Sequence, residues 1–120
     1  MRAWKPHLRP GGVLVFSDMV WRSAGPPEAL RAYWAAEYPA MAGVPERLEL
    51  ARRAGYRVLG HFDMGRAAMD AYYGPLAQRV GQLDAALQGS RVLQDLQAEL
   101  AMWRACDGIV GSEMFVLQRP

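Results

Sequence analysis

Hydrophobic positions along the chain fall into runs of different period, and the period identifies the element. Met1 to His7 reads as the end of a helix, closed by the turn Arg9-Pro10-Gly11-Gly12. Pro10 blocks further helix and the two glycines give the backbone room to reverse. An unbroken apolar run follows, Val13 to Phe16, stopping at the polar pair Ser17-Asp18. Such a run predicts a strand covered on both faces, as in parallel sheets. After Gly25-Pro26-Pro27 the spacing becomes helical: Leu30, Tyr33, Trp34 and Tyr38 share one face, Glu28 sits in the first turn and Pro39 ends the helix. A second helix opens at Val44-Pro45, with Glu46 and Glu49 early, Arg52 and Arg53 late, and Gly55 at its C-terminal cap.

Tyr56 to Met64 then alternates with period two. Tyr56, Val58, Gly60 and Phe62 fall on one side, and Arg57, Leu59, His61 and Asp63 on the other. Strand, two helices and strand make a crossover unit able to pair in parallel. From Arg66 to Cys106 the period is helical again, with interruptions expected at Gly74-Pro75 and Gly89-Ser90. Leu76, Val80, Leu83 and Leu87 form one stripe, and Leu93, Leu96, Leu100 and Trp103 a second. With Ser90 as N-cap, the two segments predict an αα-hairpin. A loop through Gly108 and Gly111 leads to a last short strand, Met114 to Leu117.

Composition narrows the class of molecule. With 120 residues, 52% of them hydrophobic and 22% charged, the chain can build one modest core and carries no disordered tract. Its net charge is only +2, and its arginines are spread over helices that also carry glutamates, so no nucleic-acid partner is expected. Cys106 is the single cysteine, which excludes an internal disulfide and leaves no Cys/His cluster for a metal. No apolar run approaches the ~20 residues that span a bilayer, and the first residues lack a secretory pattern, so a cytoplasmic protein without membrane contact is expected.

The ordered set of motifs resembles the C-terminal half of a class I S-adenosylmethionine-dependent methyltransferase, of the type 11-like kind. The matching pieces are Leu8 to Trp21, Tyr33 to Met41, Ala54 to Phe62, Tyr72 to Leu76 and Met114 to Leu117. The resemblance implies an α/β fold, half of a Rossmann-like sheet with three strands. Val13 to Phe16 would be the fifth strand of seven, Tyr56 to Met64 the sixth, and Met114 to Leu117 an antiparallel seventh. Residues 1–64 would form the strand-helix-helix-strand unit, 65–108 a helical cap inserted over the acceptor pocket, and 109–120 the final strand. Relatives hold the cofactor with a glycine-rich turn after their first strand and an acidic residue after their second, and neither is in this sequence. Gly11-Gly12 precedes a strand, so it cannot form that cradle. A second departure is Cys106-Asp107-Gly108-Ile109, where relatives tend to carry tyrosines.

Methyl transfer asks mainly that acceptor and methyl be held in line, with a nearby group to take a proton where the acceptor bears one. Asp18 is the catalytic candidate, because ligands of open α/β sheets bind beyond the carboxyl ends of strands. Ser17, Trp21, Trp34, Tyr38, Tyr72 and Tyr73 are the candidates for lining the acceptor site, Tyr72 and Tyr73 because they stand beside the expected helix break. No cofactor-binding residue is assigned. His61 and His7 are expected to be structural and solvated, respectively. The resemblance implies S-adenosylmethionine as cofactor, a small-molecule acceptor, and a chain that is inactive alone and binds the cofactor weakly or not at all. Two readings stay open: half of an enzyme completed by a separate cofactor-binding half, with an internal start at Met1, or a non-catalytic module that homodimerises or binds a partner.

Overall fold

The computed structural model describes residues 1–106 and 108–120. A 3-10 helix, Arg2–His7, leads through the Pro10-Gly11-Gly12 turn into β1, Val13–Trp21. Then follow α1 (Glu28–Glu37), the two-residue strand β2 (Ala42–Gly43), α2 (Val44–Arg53) and β3 (Arg57–Asp63). The hairpin of α3 (Gly65–Leu83) and α4 (Arg91–Ala105) precedes β4 (Val110–Gln118). The four strands form one sheet in the order β2-β1-β4-β3.

β4 enters between β1 and β3 and runs antiparallel to both. The two crossover strands are therefore parallel to one another without pairing, which corrects the expectation of a directly paired unit. The antiparallel direction of the last strand agrees with the implied topology. β4 is also longer than its apolar stretch suggested, because it pairs residue by residue with β1 from Val13↔Gln118 to Trp21↔Val110. For the same reason β1 does not stop at Phe16. The ladder satisfies the backbone of Ser17 and Asp18, so their polar side chains cannot end the strand.

One face of the sheet is covered. Leu14, Phe16, Val58 and Leu117 pack with Met1, Leu8, Ala51, Ala54 and Tyr56, and Phe16 stacks on Phe115 at 5.3 Å between ring centroids. The opposite face is covered only near the carboxyl end of β1, where Met19, Trp21 and Val110 meet Leu30 and Trp34 of α1 and Cys106 after α4. Farther down that face Val13 and Val15 are exposed, so β1 is not a strand buried on both sides.

Two local features changed register or continuity. The ladder of β3 shifts between Val58↔Leu117 and Gly60↔Val116, a bulge at Leu59. One extra residue exchanges the faces beyond it. Val58 thus shares the covered face with Leu117, while Gly60 and Phe62 stand opposite Val116 and Met114 on the open one. The expected single alternation from Tyr56 to Phe62 is broken accordingly. In the hairpin, α3 runs unbroken through Gly74-Pro75. Proline removes one backbone donor, and the packing of Tyr73, Leu76 and Val80 against Leu93 and Leu100 holds the helix together across that gap. The break that was to display Tyr72 and Tyr73 does not exist. Ser90 does occupy the N-cap position of α4, without a side-chain capping bond.

Candidate functional site

A cavity of about 350 Å³ opens where β1 and β3 end and β4 begins, beneath the α3–α4 hairpin. Its apolar wall comes from two cores. Met19, Trp34, Cys106 and Val110 belong to the core at the end of β1, and Met69, Tyr73 and Trp103 to the hairpin core. Its polar lining is Arg22, Asp63, Arg66 and Arg104, with Gly65, Gly108 and Gly111 completing the surface. The placement follows the rule that ligands of open α/β sheets sit beyond strand carboxyl ends.

The wall is fixed by side-chain contacts. Trp34 donates its Nε1–H to Cys106 Sγ at 3.4 Å, and Tyr33 meets the Trp34 ring edge-on at 5.2 Å. Tyr73 stacks on Trp103 at 5.0 Å and donates its hydroxyl to Glu99 at 3.1 Å. Burial pushes the Cys106 thiol upward, and burial with the neighbouring Glu99 carboxylate pushes the Tyr73 phenol far up. Both groups are therefore neutral at physiological pH, suited to walls and ill suited to act as bases.

Below the cavity lies an ionic seam. Glu113 in β4 is almost wholly buried; Arg22 Nη1 donates to its Oε2 at 2.6 Å and His61 Nδ1 donates to its Oε1 at 2.6 Å. Arg22 Nη2 also reaches Asp63 Oδ1 at 2.7 Å and the Ser112 carbonyl at 3.1 Å. Both oxygens of the buried carboxylate are thus answered, the condition under which such a charge can stay inside a protein. Gly111 makes room for this arrangement: a Cβ there would lie 2.7 Å from Arg22 Nε.

Asp18 lies elsewhere, three residues inside the end of β1. It accepts the Tyr38 hydroxyl at 2.8 Å and faces Arg47 Nε at 2.8 Å, an ionic contact made off the N–H direction. Arg47, itself buried, also donates to the Tyr38 hydroxyl at 2.8 Å and to the Ala40 carbonyl at 2.7 Å. Burial, then the hydrogen bond to Asp18, raises the Tyr38 phenol. This group ties α2 and the end of α1 to β1, and neither Asp18 nor Tyr38 lines the cavity. Ser17 is exposed on the open face opposite Met114, Trp21 packs into the core at the end of β1, and Tyr72 is 62% exposed against the edge of Tyr73. Of the residues singled out in the sequence, the cavity gathers Trp34 and Tyr73. The departure at Cys106 to Ile109 falls partly on Asp107, which lies outside the described residues.

Arg22, Asp63, Trp103, Arg104 and Glu113 were missed by sequence reasoning. For Asp63 the signal was present, since it ends an alternating strand and so meets the same strand-end criterion applied to Asp18. Glu113 gave only the weak signal of an acid beside an apolar strand. Arg22 and Arg104 gave none, because they join the site through tertiary contacts alone.

The glycine pair does not fit a cofactor cradle. The Gly11 amide donates to the Arg119 carbonyl and the Gly12 amide to the Arg9 carbonyl, both at 2.8 Å, so neither N–H is left to meet a ligand. Among the described residues no cluster of His, Cys, Asp and Glu could hold a metal ion, and no helix is long and apolar enough to cross a membrane.

No family model and no curated protein sequence matches the chain. Solved structures do. A SAM-dependent methyltransferase from Geobacter sulfurreducens, in complex with S-adenosyl-L-homocysteine, superposes with a TM-score of 0.70 at 22% identity, covering 94% of this chain and 48% of that one. Phosphoethanolamine N-methyltransferase 2 from Haemonchus contortus, in complex with S-adenosyl-L-methionine, gives 0.77 at 14% identity over 99% of this chain and 29% of that one. The cyclopropane synthase MmaA2 from Mycobacterium tuberculosis gives 0.64 at 14% identity, over 98% and 47% respectively. The chain spans about half the length, or less, of these structures. Identities this low speak for the fold, and the fold is that of the C-terminal half of a class I S-adenosylmethionine-dependent methyltransferase.

Proposed function

We propose that this chain is the acceptor-binding half of a small-molecule methyltransferase whose cofactor-binding half lies outside these 120 residues. The observation that carries the reading is the cavity at the carboxyl ends of β1 and β3, roofed by the α3–α4 hairpin and walled by Trp34, Tyr73 and Trp103. A cavity of this size with aromatic walls and a few polar groups suits a small organic ligand. The solved structures in complex with S-adenosyl-L-methionine or S-adenosyl-L-homocysteine support S-adenosylmethionine as the methyl donor of the complete enzyme. This chain's part is to bind the acceptor, exclude water and set its orientation, which is where positioning catalysis gains most. Asp63 is better placed than Asp18 to accept a proton from the acceptor, since Asp63 lines the cavity and Asp18 does not.

In the proposed enzyme the isolated chain binds S-adenosylmethionine weakly or not at all, because the Gly11 and Gly12 amides are already used. Calorimetric titration of the 120-residue chain with S-adenosylmethionine tests this, and tight binding would overturn it. Methyl transfer should appear only on co-expression with a segment carrying a glycine-rich strand-turn-helix. The second reading, a homodimerising module, is favoured by the outer edge of β1, where β2 pairs with Val20 and Trp21 only. Light scattering separates the two: a stable dimer of the chain alone supports the module, and a monomer that associates only with the second segment supports the half-enzyme.

A further inference from the structure

We infer that the acceptor is an anion with a flat apolar body, its carboxylate or phosphate held at the arginine side of the cavity. This rests on the reading of the cavity as the acceptor site and adds the chemical class of what enters it.

Among the described residues the lining carries three guanidiniums, Arg22, Arg66 and Arg104, and the carboxylate Asp63, with Glu113 paired to Arg22. Arg22 is held by Glu113, Asp63 and the Ser112 carbonyl. A guanidinium carries five N–H donors, so this clamp leaves donors to spare while fixing the plane of the group. Arg66 stands in the first turn of α3, with Asp70 at 3.6 Å across one helical turn, and Arg104 in the last turn of α4. They approach from the two helices of the hairpin, and Arg22 from the sheet. An anion among them would meet donors from separate elements, the arrangement that favours carboxylate and phosphate over a neutral amide.

The other wall sets the body of the ligand. Tyr73 and Trp103 stack with an interplanar angle of 16°, and Trp34 is 6% exposed beside Met19. Flat apolar surface offered by aromatic and thioether groups fits an unsaturated or ring-bearing body better than a short hydrophilic one.

The test uses a matched pair of probes, 2-naphthoate and 2-naphthamide, which share a flat body and differ in charge. Binding to the full chain is followed by shifts of the indole N–H resonances of Trp34 and Trp103. Naphthoate should bind about tenfold or more tightly than naphthamide, as expected for charge-assisted hydrogen bonds, and the preference should shrink with added salt. Arg66→Ala with Arg104→Ala should weaken naphthoate by a similar factor and leave naphthamide unchanged. Arg104→Lys, a milder change, should keep part of the preference if the double variant does not fold. Equal affinity for the two probes, or a naphthoate preference untouched by these substitutions, would overturn the anionic assignment while leaving the acceptor site standing. Failure of both probes to shift either indole would remove the acceptor-site reading as well.

Discussion

On one face of the sheet Phe16, Phe115 and Leu117 lie beneath Leu8, Ala51 and Tyr56, whereas on the other Val13, Val15 and Phe62 meet solvent. The residue types are alike, yet Leu117 is 0% exposed and Val15 56%. The covered face is closed by segments of this chain: α2 and the turn that precedes β1. The open face begins where α1 stops, and the outer edge of β1 beside it pairs with β2 at Val20 and Trp21 only. Apolar residues beside an open strand edge form a surface able to take a further segment of polypeptide, as the proposed function requires. The core of the sheet therefore lies on one face, with the cavity above both.

The sharpest way to break that division is to remove a ring from the covered face. Phe115 is 1% exposed, stacked on Phe16 and close to the His61 ring, so Phe115→Ala should cost about 3–5 kcal/mol in urea denaturation. A loss below about 1 kcal/mol would show that the covered face is not the structural one. The ionic seam comes next. Glu113→Gln keeps the shape but leaves Arg22 and His61 facing a neutral amide, and should cost about 1–3 kcal/mol by the same measurement. Gly111→Ala should act in the same direction by crowding Arg22, and the pair of substitutions should be less than additive because both disturb one guanidinium.

Alkali offers a smaller effect that acts partly from the cavity side. The Tyr33, Tyr38 and Tyr73 phenols and the Cys106 thiol are all raised, burial being the largest cause for each. In the unfolded chain the thiol ionises near 9.0 and the phenols near 10.0, so from there upward the unfolded state holds fewer protons than the folded one. Stability present below those values should be lost as pH rises through and beyond them. Chemical denaturation at a series of pH values from neutral upward should show the midpoint falling from about pH 9, and Tyr73→Phe should flatten the fall. A midpoint independent of pH would mean that these groups are solvated.

Much of this division was legible in the sequence, and its failures have local causes. Element types followed from period: helices at 28–37, 44–53 and in the hairpin, strands at β1, β3 and β4. Trp34, on the cavity wall, was legible as part of an aromatic face at helical spacing, whereas Tyr73, also on the wall, was chosen for a helix break that the structure does not contain. Asp18 was misplaced because a polar pair looked like the end of a strand, while the pairing that carries β1 to Trp21 is contributed by β4, some ninety positions away in sequence. The open face was hidden for two reasons. An apolar run reads the same whether its second face is covered by this chain or by another, and the bulge at Leu59 moved Phe62 across the sheet without a glycine or proline at Leu59 itself to announce it.

The smallest expected effect on stability is the most telling about assembly. Val15 and Phe62 are more than half exposed, so Val15→Lys and Phe62→Ser should each change the unfolding free energy of the isolated chain by no more than about 0.5 kcal/mol. If the proposed association uses this face, the same substitutions should weaken it, because they place a charge or a void in the apolar patch. Sedimentation of mixtures with wild-type and substituted chain reads this directly. If Val15→Lys destabilises the chain as strongly as Phe115→Ala, the open face is already covered in the isolated protein and the contrast between the faces is lost. If it alters neither stability nor association, the patch is plain surface, and the partner must enter along the edge of β1 instead.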